Sequence, residues 1–164
     1  MKPFTSLFLA PLNEIKEEKY WDEAGKMLSE LFSDENQYGS AIGNPDFGVV
    51  DPDLLKDKNF QKEFLRDTML ISSNGPEGTM LVGIMLFDMS TDENTNKRTL
   101  KIEGLYIRPE CRGNGLAYAA VKVVEAAMSP DYLRLDVLPN NLPAVKLYQK
   151  LGFKTVMLEM VLAR

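Results

Sequence analysis

The segment Arg112-Gly113-Asn114-Gly115-Leu116-Ala117 has the residue types and spacing that point most directly to chemistry. It lies where a strand-like run, Thr99 to Ile107, gives way to the alanine- and valine-rich helical stretch Leu116 to Met128. A turn so placed aims unpaired backbone amides and the positive end of a helix dipole at one spot, and such a spot suits a phosphate. Glycine at 113 and 115 lets the backbone approach an anion with no Cβ in the way, and Ala117 keeps the first helical turn close to the strands. Two other phosphate-binding loops fit these letters less well. A P-loop needs Gly-Lys-Ser/Thr, which does not occur, and a dinucleotide fingerprint starting at Gly113 needs glycine or alanine at 118, where Tyr118 stands.

The missing residue types narrow the chemistry further. The chain has no histidine, so Ser-His-Asp and Cys-His mechanisms are excluded and the commonest transition-metal ligand is gone. Cys111 is the single cysteine, too few for an internal disulfide or a multi-cysteine zinc site, and it reads as inert. No metal is expected. Catalysis must then rest on carboxylates, tyrosine, lysine, backbone dipoles or water.

The elements that must position this turn follow from periodicity. Pro3 to Leu9 reads as a short strand, ended by Pro11. From about Asn13 the pattern is helical, with Ile15, Tyr20, Trp21, Ala24, Met27, Leu28, Leu31 and Phe32 near one face and acids and lysines between them. Tyr20, Trp21 and Phe32 read as packing residues. The glycines and prolines between Ser33 and Pro52 predict a loop-rich excursion, and a second helix is expected from about Asp53, its cap, through Leu65. Thr68–Ser72 and Met80–Phe87 around Asn74-Gly75-Pro76-Glu77-Gly78 form a predicted hairpin. Strands follow at Thr99–Ile107 and Tyr132–Val137. Pro143 and Gly152 bracket a last helix, and Lys154 to Leu162 is expected to close as a strand. This order is an α/β arrangement with a mixed sheet.

The run Gly104-Leu105-Tyr106-Ile107-Arg108-Pro109-Glu110-Cys111-Arg112-Gly113-Asn114-Gly115-Leu116-Ala117 resembles the acetyl-CoA signature Q/R-x-x-G-x-G/A of the GNAT superfamily of N-acetyltransferases. Downstream, Asn141-Leu142-Pro143-Ala144-Val145-Lys146-Leu147-Tyr148-Gln149-Lys150-Leu151-Gly152-Phe153 resembles that family's N-x-x-A-x-x-L-Y-x-K-x-G-F helix. Two matches in the right order, separated by a helix and a strand, are more specific than either alone. Ala117 replaces the commoner glycine, which the signature tolerates, and Pro139 and Pro143 stiffen the loop around Asn141.

The resemblance implies a GNAT-like, mixed and mostly antiparallel central sheet flanked by helices. It implies one acetyltransferase domain over residues 1–164, with the acetyl-CoA core at about 99–164 and acceptor-side helices and loops at about 13–66. Backbone groups of Leu105, Tyr106 and Ile107 would pair with the pantetheine arm. Arg112 opens the signature, and amides of Gly113, Asn114, Gly115, Leu116, Ala117 and Tyr118 would hold the pyrophosphate. Asn141 would hydrogen-bond the pantetheine or acceptor region, and Tyr148 would be general acid for the departing thiolate. Transfer would be direct, from acetyl-CoA as co-substrate to a primary amine of a small molecule or protein. An alkylamine with a pKa near ~10 is protonated at neutral pH, so a base is needed. Glu103 and Asp136 are both candidates, alone or through an ordered water. The alternative is a non-catalytic acyl-CoA binding or sensing module.

With a net charge of -5 the chain has no overall attraction for nucleic acid. No apolar run approaches the ~20 residues that cross a bilayer, and the Met-Lys-Pro-Phe start lacks a signal peptide's apolar stretch, so no membrane partner and a cytoplasmic location are expected. Members of the superfamily pair through their sheets, which allows a homodimer here.

Overall fold

The computed structural model describes residues 6–41, 51, 53–54, 57–75, 78–160 and 162. Among the described residues, five strands, β1 (Leu7–Pro11), β2 (Thr68–Gly75), β3 (Gly78–Thr91), β4 (Arg98–Ile107) and β5 (Tyr132–Leu135), form one sheet in the order of the chain. The pairs β1–β2, β2–β3 and β3–β4 are antiparallel, and β4–β5 is parallel, across the crossover helix α3 (Leu116–Met128). Helices α1 (Glu18–Ala41), α2 (Lys58–Phe64) and α4 (Leu142–Lys150) complete the fold. The mixed, mostly antiparallel sheet flanked by helices is the expected architecture.

Two apolar clusters hold the layers together. Ala24, Met27, Leu28 and Leu31 of α1 are buried with Leu70, Leu81, Ile84, Leu86 and Tyr106 of the sheet, and Tyr20, Trp21 and Phe32 pack against them as the periodicity indicates. Leu116, Ala120, Val121 and Val124 of α3 are buried with Ile71, Val82, Met85, Leu100, Ile102 and Ile107. Alternation along the strands sends successive side chains to the two layers.

The register breaks once in β4, and the break matters for the site. Leu86 pairs with Gly104 and Phe87 with Ile102, so Glu103 is the extra residue of a β-bulge. Ile102 belongs to the α3-side cluster, whereas beyond the bulge Gly104 faces Leu31 and Tyr106 belongs to the α1-side cluster. The bulge therefore switches which face each residue of the strand's second half presents.

Several sequence expectations change: β5 ends at Leu135 rather than Val137, and the hairpin strands run longer, Thr68–Gly75 and Gly78–Thr91. Pro11 is the last residue of β1, which its edge position tolerates, since a missing N–H there breaks no inner ladder. Residues 3–5 of the expected first strand lie outside the described residues. The first helix starts at Glu18 and runs past Ser33 to Ala41, with Gly39 buried inside it. Tertiary contacts override the loop-like composition of its last turns, as set out below. The second helix starts at Lys58 rather than Asp53, because Asp57 supplies the cap: its Oδ1 accepts from the Phe60 amide at 2.8 Å. Residues 42–50 of the excursion lie outside the described residues.

The largest difference is at the end of the chain. Residues 154–160 and 162 form no strand and are almost all exposed, Val156 at 94% and Met160 at 86%. Strand composition is not enough without an edge to pair with. At that end of the sheet β5 is the edge strand; it stops at Leu135, and Pro139, four residues on, has no N–H to extend a ladder.

Candidate active site

The turn between β4 and α3 is built as its glycines require. Gly113 and Gly115 have φ of +80° and +74°, the left-handed region that favours glycine, and the space where their Cβ atoms would lie is open. The first hydrogen bond of α3 runs from the Ala119 amide to the Gly115 carbonyl at 3.0 Å. The amides of Gly113, Asn114, Gly115, Leu116, Ala117 and Tyr118 give no hydrogen bond to a backbone carbonyl among the described residues. A diphosphate needs such donors beside an open cradle, so the residues present fit this part of acetyl-CoA. The Asn114 side chain braces the turn, donating to the carbonyls of Cys111 at 3.0 Å and Arg112 at 3.1 Å.

Upstream, β4 offers a free edge. Its pairing with β5 covers only Thr99 to Ile102, opposite Tyr132 to Leu135, so among the described residues the stretch from Glu103 to Ile107, which includes Leu105 and Tyr106, has no strand on that side. An extended arm can pair there as a further strand. One of its acceptors is already engaged: the Ile107 carbonyl takes a hydrogen bond from Arg112 Nε at 2.8 Å.

Arg112 acts through its side chain. Its guanidinium also reaches Asp34 of α1 at 3.1 Å and lies 5.3 Å from the centre of the Tyr106 ring. Tyr106 in turn donates from its hydroxyl to Glu30 at 2.5 Å, and burial together with that carboxylate pushes its phenol well above the ordinary value. A third contact, between Arg108 and Glu23 at 2.7 Å, completes a row of ties between α1 and the end of β4.

On the other side stands α4. The Asn141 side chain caps it, accepting from the Ala144 amide at 3.3 Å, with Pro143 in the first turn. The helix ends in a Schellman motif: Phe153 N–H bonds the Tyr148 carbonyl at 3.0 Å and Gly152 N–H the Gln149 carbonyl at 3.0 Å, with Gly152 at φ +94°. The motif fixes the turn that carries Tyr148, whose ring packs edge-on against Phe153 at 5.7 Å. The Tyr148 hydroxyl makes no hydrogen bond among the described residues. Burial first, and the charge of Glu35 second, push this phenol up to about 12.

The two carboxylates singled out as bases come together, but around a lysine. Lys101 Nζ lies 3.2 Å from Glu103 and 3.1 Å from Asp136, and all three side chains are exposed. The two carboxylates hold the Lys101 ammonium above its ordinary pKa. Cys111 is buried, and burial pushes its thiol up, which fits an inert residue rather than a nucleophile.

Sequence reasoning missed Glu35 and Asn140. Glu35 is partly buried on α1, and burial raises its carboxyl pKa. The signal was its spacing: Leu28, Leu31, Glu35 and Gly39 step along one face, which is legible only once the helix is known to continue. Asn140 donates from its side-chain amide to the Tyr38 carbonyl of α1 at 2.8 Å.

The sequence model of the acetyltransferase (GNAT) family matches residues 26–153, most of the chain and all of this site. The chain belongs to the GNAT acetyltransferase family. Thialysine N-epsilon-acetyltransferase of Bos taurus is 36% identical over 87 residues, 51% of this chain and 51% of that protein. An uncharacterised N-acetyltransferase of Schizosaccharomyces pombe is 35% identical over 88 residues, 49% of this chain and 54% of that one. The chain thus spans about half the length of these curated relatives. Among solved structures, a mutant form of a Bacillus halodurans protein superposes with a TM-score of 0.66 at 15% identity, covering 98% of this chain and 99% of that one. An aminoglycoside N-acetyltransferase in complex with CoA gives a TM-score of 0.60 at 16% identity, covering 97% and 93%. These two likenesses establish the GNAT fold over nearly the whole chain. Among the described residues no helix is long and apolar enough to cross a membrane, and no group of three or more potential metal ligands occurs.

Proposed function

We propose that this chain is an acetyl-CoA-dependent N-acetyltransferase that passes acetyl directly to a primary amine of a small molecule or protein. The observation that carries this reading is the continuity of the free β4 edge with the amide-lined turn from Gly113 to Tyr118. One face thereby offers strand-type pairing to an extended arm and then a cradle for its diphosphate. The names of the curated relatives and the CoA in the aminoglycoside enzyme's structure support acetyl-CoA as co-substrate and an amine as acceptor.

Acetyl-CoA, when bound, supplies the acetyl group as an activated thioester. Residues 105–107 orient its arm, the amides of 113–118 hold its diphosphate, and the pairing fixes the reacting carbonyl against the acceptor. As the C–N bond forms and the C–S bond breaks, Tyr148 donates a hydrogen bond to the leaving sulfur. A phenol held near 12 is a much weaker acid than a thiol at about 8.5, so the hydroxyl stabilises the thiolate chiefly by donation, keeping its own proton until late. Glu103, Asp136 or an ordered water takes the proton that the amine must shed. The acetyl-CoA half then occupies about 99–164, and the helices at about 13–66 supply the acceptor side.

The test is calorimetric titration with acetyl-CoA, followed by a thiol-release assay over a panel of amines. Saturable binding with release for one amine class is the expected result. Binding without release over the panel would point to a sensing module, and absence of binding would overturn the reading.

A further inference from the structure

Beyond its bulge, β4 uses alternate residues for different purposes. The Arg108 amide donates to the Val82 carbonyl of β3 at 2.8 Å, and Ile107 stands opposite Gly83. Bonded and non-bonded pairs alternate along an antiparallel ladder, so Leu105 and Ile107 turn both N–H and C=O away from β3, toward the free edge. The residues on either side of them meet α1 instead. Gly104 faces Leu31, Tyr106 donates from its hydroxyl to Glu30 at 2.5 Å, and Arg108 meets Glu23 at 2.7 Å. The residues that would pair with the pantetheine arm are thus interleaved with residues in contact with α1.

Of these three contacts, the middle one bears most directly on the edge. Tyr106 lies between Leu105 and Ile107 and is buried, whereas the Arg108 pair is partly exposed and lies past the last pairing residue. Gly104 has no side chain to hold. A phenol donating to a carboxylate makes a charge-assisted bond, stronger than a neutral one. Arg112 closes the arrangement, since its guanidinium lies 5.3 Å from the centre of the Tyr106 ring while its Nε holds the Ile107 carbonyl at 2.8 Å.

We propose that Glu30 is a positioning residue for the cofactor: by holding the Tyr106 hydroxyl, it sets the line of backbone groups on Leu105 and Ile107 along which the pantetheine arm pairs. This inference rests on the reading of the chain as acetyl-CoA-dependent. Glu30 acts through Tyr106. Because α1 belongs to the proposed acceptor side, the same bond joins the two halves of the site.

The test is a cycle of calorimetric titrations with acetyl-CoA on Glu30→Ala, Tyr106→Phe and the double variant. Alanine suits an exposed helical position and phenylalanine keeps the buried ring, so the fold should be retained. Each single variant is expected to raise the Kd about fivefold, and the double variant by no more than the larger single loss. Glu30→Gln keeps an accepting oxygen and should bind more tightly than Glu30→Ala. A second ligand separates positioning from general loosening: adenosine 3′-phosphate 5′-diphosphate, the part of CoA without the arm, should keep its Kd within about twofold in every variant. Unchanged acetyl-CoA affinity in both folded single variants, losses that add in the double variant, or an equal loss for the arm-less fragment would each overturn the proposal. If the wild-type protein binds no acetyl-CoA, the cofactor reading falls and this inference with it. If it binds acetyl-CoA but not the fragment, the cycle alone decides.

Discussion

The guanidinium of Arg112 meets the carboxylate of Asp34 at 3.1 Å, joining the amide-lined turn to the far half of the first helix across 78 positions of sequence. Both side chains are about half exposed, so the pair itself adds little to stability. Asp34→Asn should cost under about 1 kcal/mol in a urea melt. Arg112→Ala should cost more, because it also removes the donor to the Ile107 carbonyl. If the pair positions the cofactor turn, both variants should weaken acetyl-CoA binding in calorimetry, Arg112→Ala the more strongly. Unchanged affinity in both would reduce Arg112 to a surface tie.

Tyr148→Phe removes only the hydroxyl, since the ring contact with Phe153 and the helix end are kept. Turnover should fall on the order of a hundredfold with little change in acetyl-CoA affinity, as expected for an interaction made chiefly in the transition state. Equal turnover in the thiol-release assay would remove Tyr148 from the mechanism.

The same residue makes a prediction about pH. Its phenol is raised in the folded protein to about 12, above the ordinary tyrosine value of about 10, so the unfolded chain loses this proton first as pH rises. The stability from keeping Tyr148 neutral is therefore complete below about pH 10 and is lost as pH rises toward 12. Denaturant midpoints should fall more steeply over that window in the wild-type protein than in Tyr148→Phe, the difference isolating this residue from the lysines that titrate nearby. Parallel curves would show that the phenol is not buried as described.

Much of this was legible because it is local. The turn at Gly113 and Gly115, the crossover helix and the Pro143-to-Gly152 helix are each specified by residues within a few positions of one another, and the structure keeps their bounds. What was not legible depends on distant partners. The first helix continues through Ala41 because Asp34 has Arg112 and Tyr38 has Asn140, neither of which local composition can announce. The bulge at Glu103 is a mismatch of register between two strands, and the meeting of Asp136 with Lys101 depends on the parallel placement of β5. The expected strand over 154–162 failed for the same reason: its letters favour extension, but an edge must be offered by another element.

Gly83 and Gly104 lie on adjoining strands beside the site, and substitution should separate their roles. A Cβ on Gly83 would fall 2.2 Å from the Tyr106 carbonyl oxygen, a backbone atom that can move only if β4 moves. A Cβ on Gly104 would fall 2.7 Å from Leu31 Cδ2, the end of a side chain that can rotate away. Gly83→Ala should therefore lower stability by roughly 2 kcal/mol or more and weaken acetyl-CoA binding by displacing the strand that carries residues 105–107. Gly104→Ala should cost less and leave affinity nearly unchanged. Denaturant melts and calorimetric titration of the two variants check this, and equal behaviour would mean that the close approach of β3 to β4 at Gly83 is not what holds the cofactor edge.

Gly115 tests the turn itself. At φ +74° a β-branched residue is strongly disfavoured, and its side chain would project into the open space that the diphosphate is proposed to fill. Gly115→Val should reduce acetyl-CoA affinity by at least about tenfold, combining the conformational penalty with crowding of the anion. Gly115→Asn, whose short side chain tolerates left-handed backbone, should retain more affinity than valine because it removes most of the first cost and little of the second. If valine and asparagine weaken binding equally, crowding dominates and the diphosphate lies against this residue. If neither weakens it, the amides of 113–118 do not hold the cofactor, and the site must be sought elsewhere on the β4 edge.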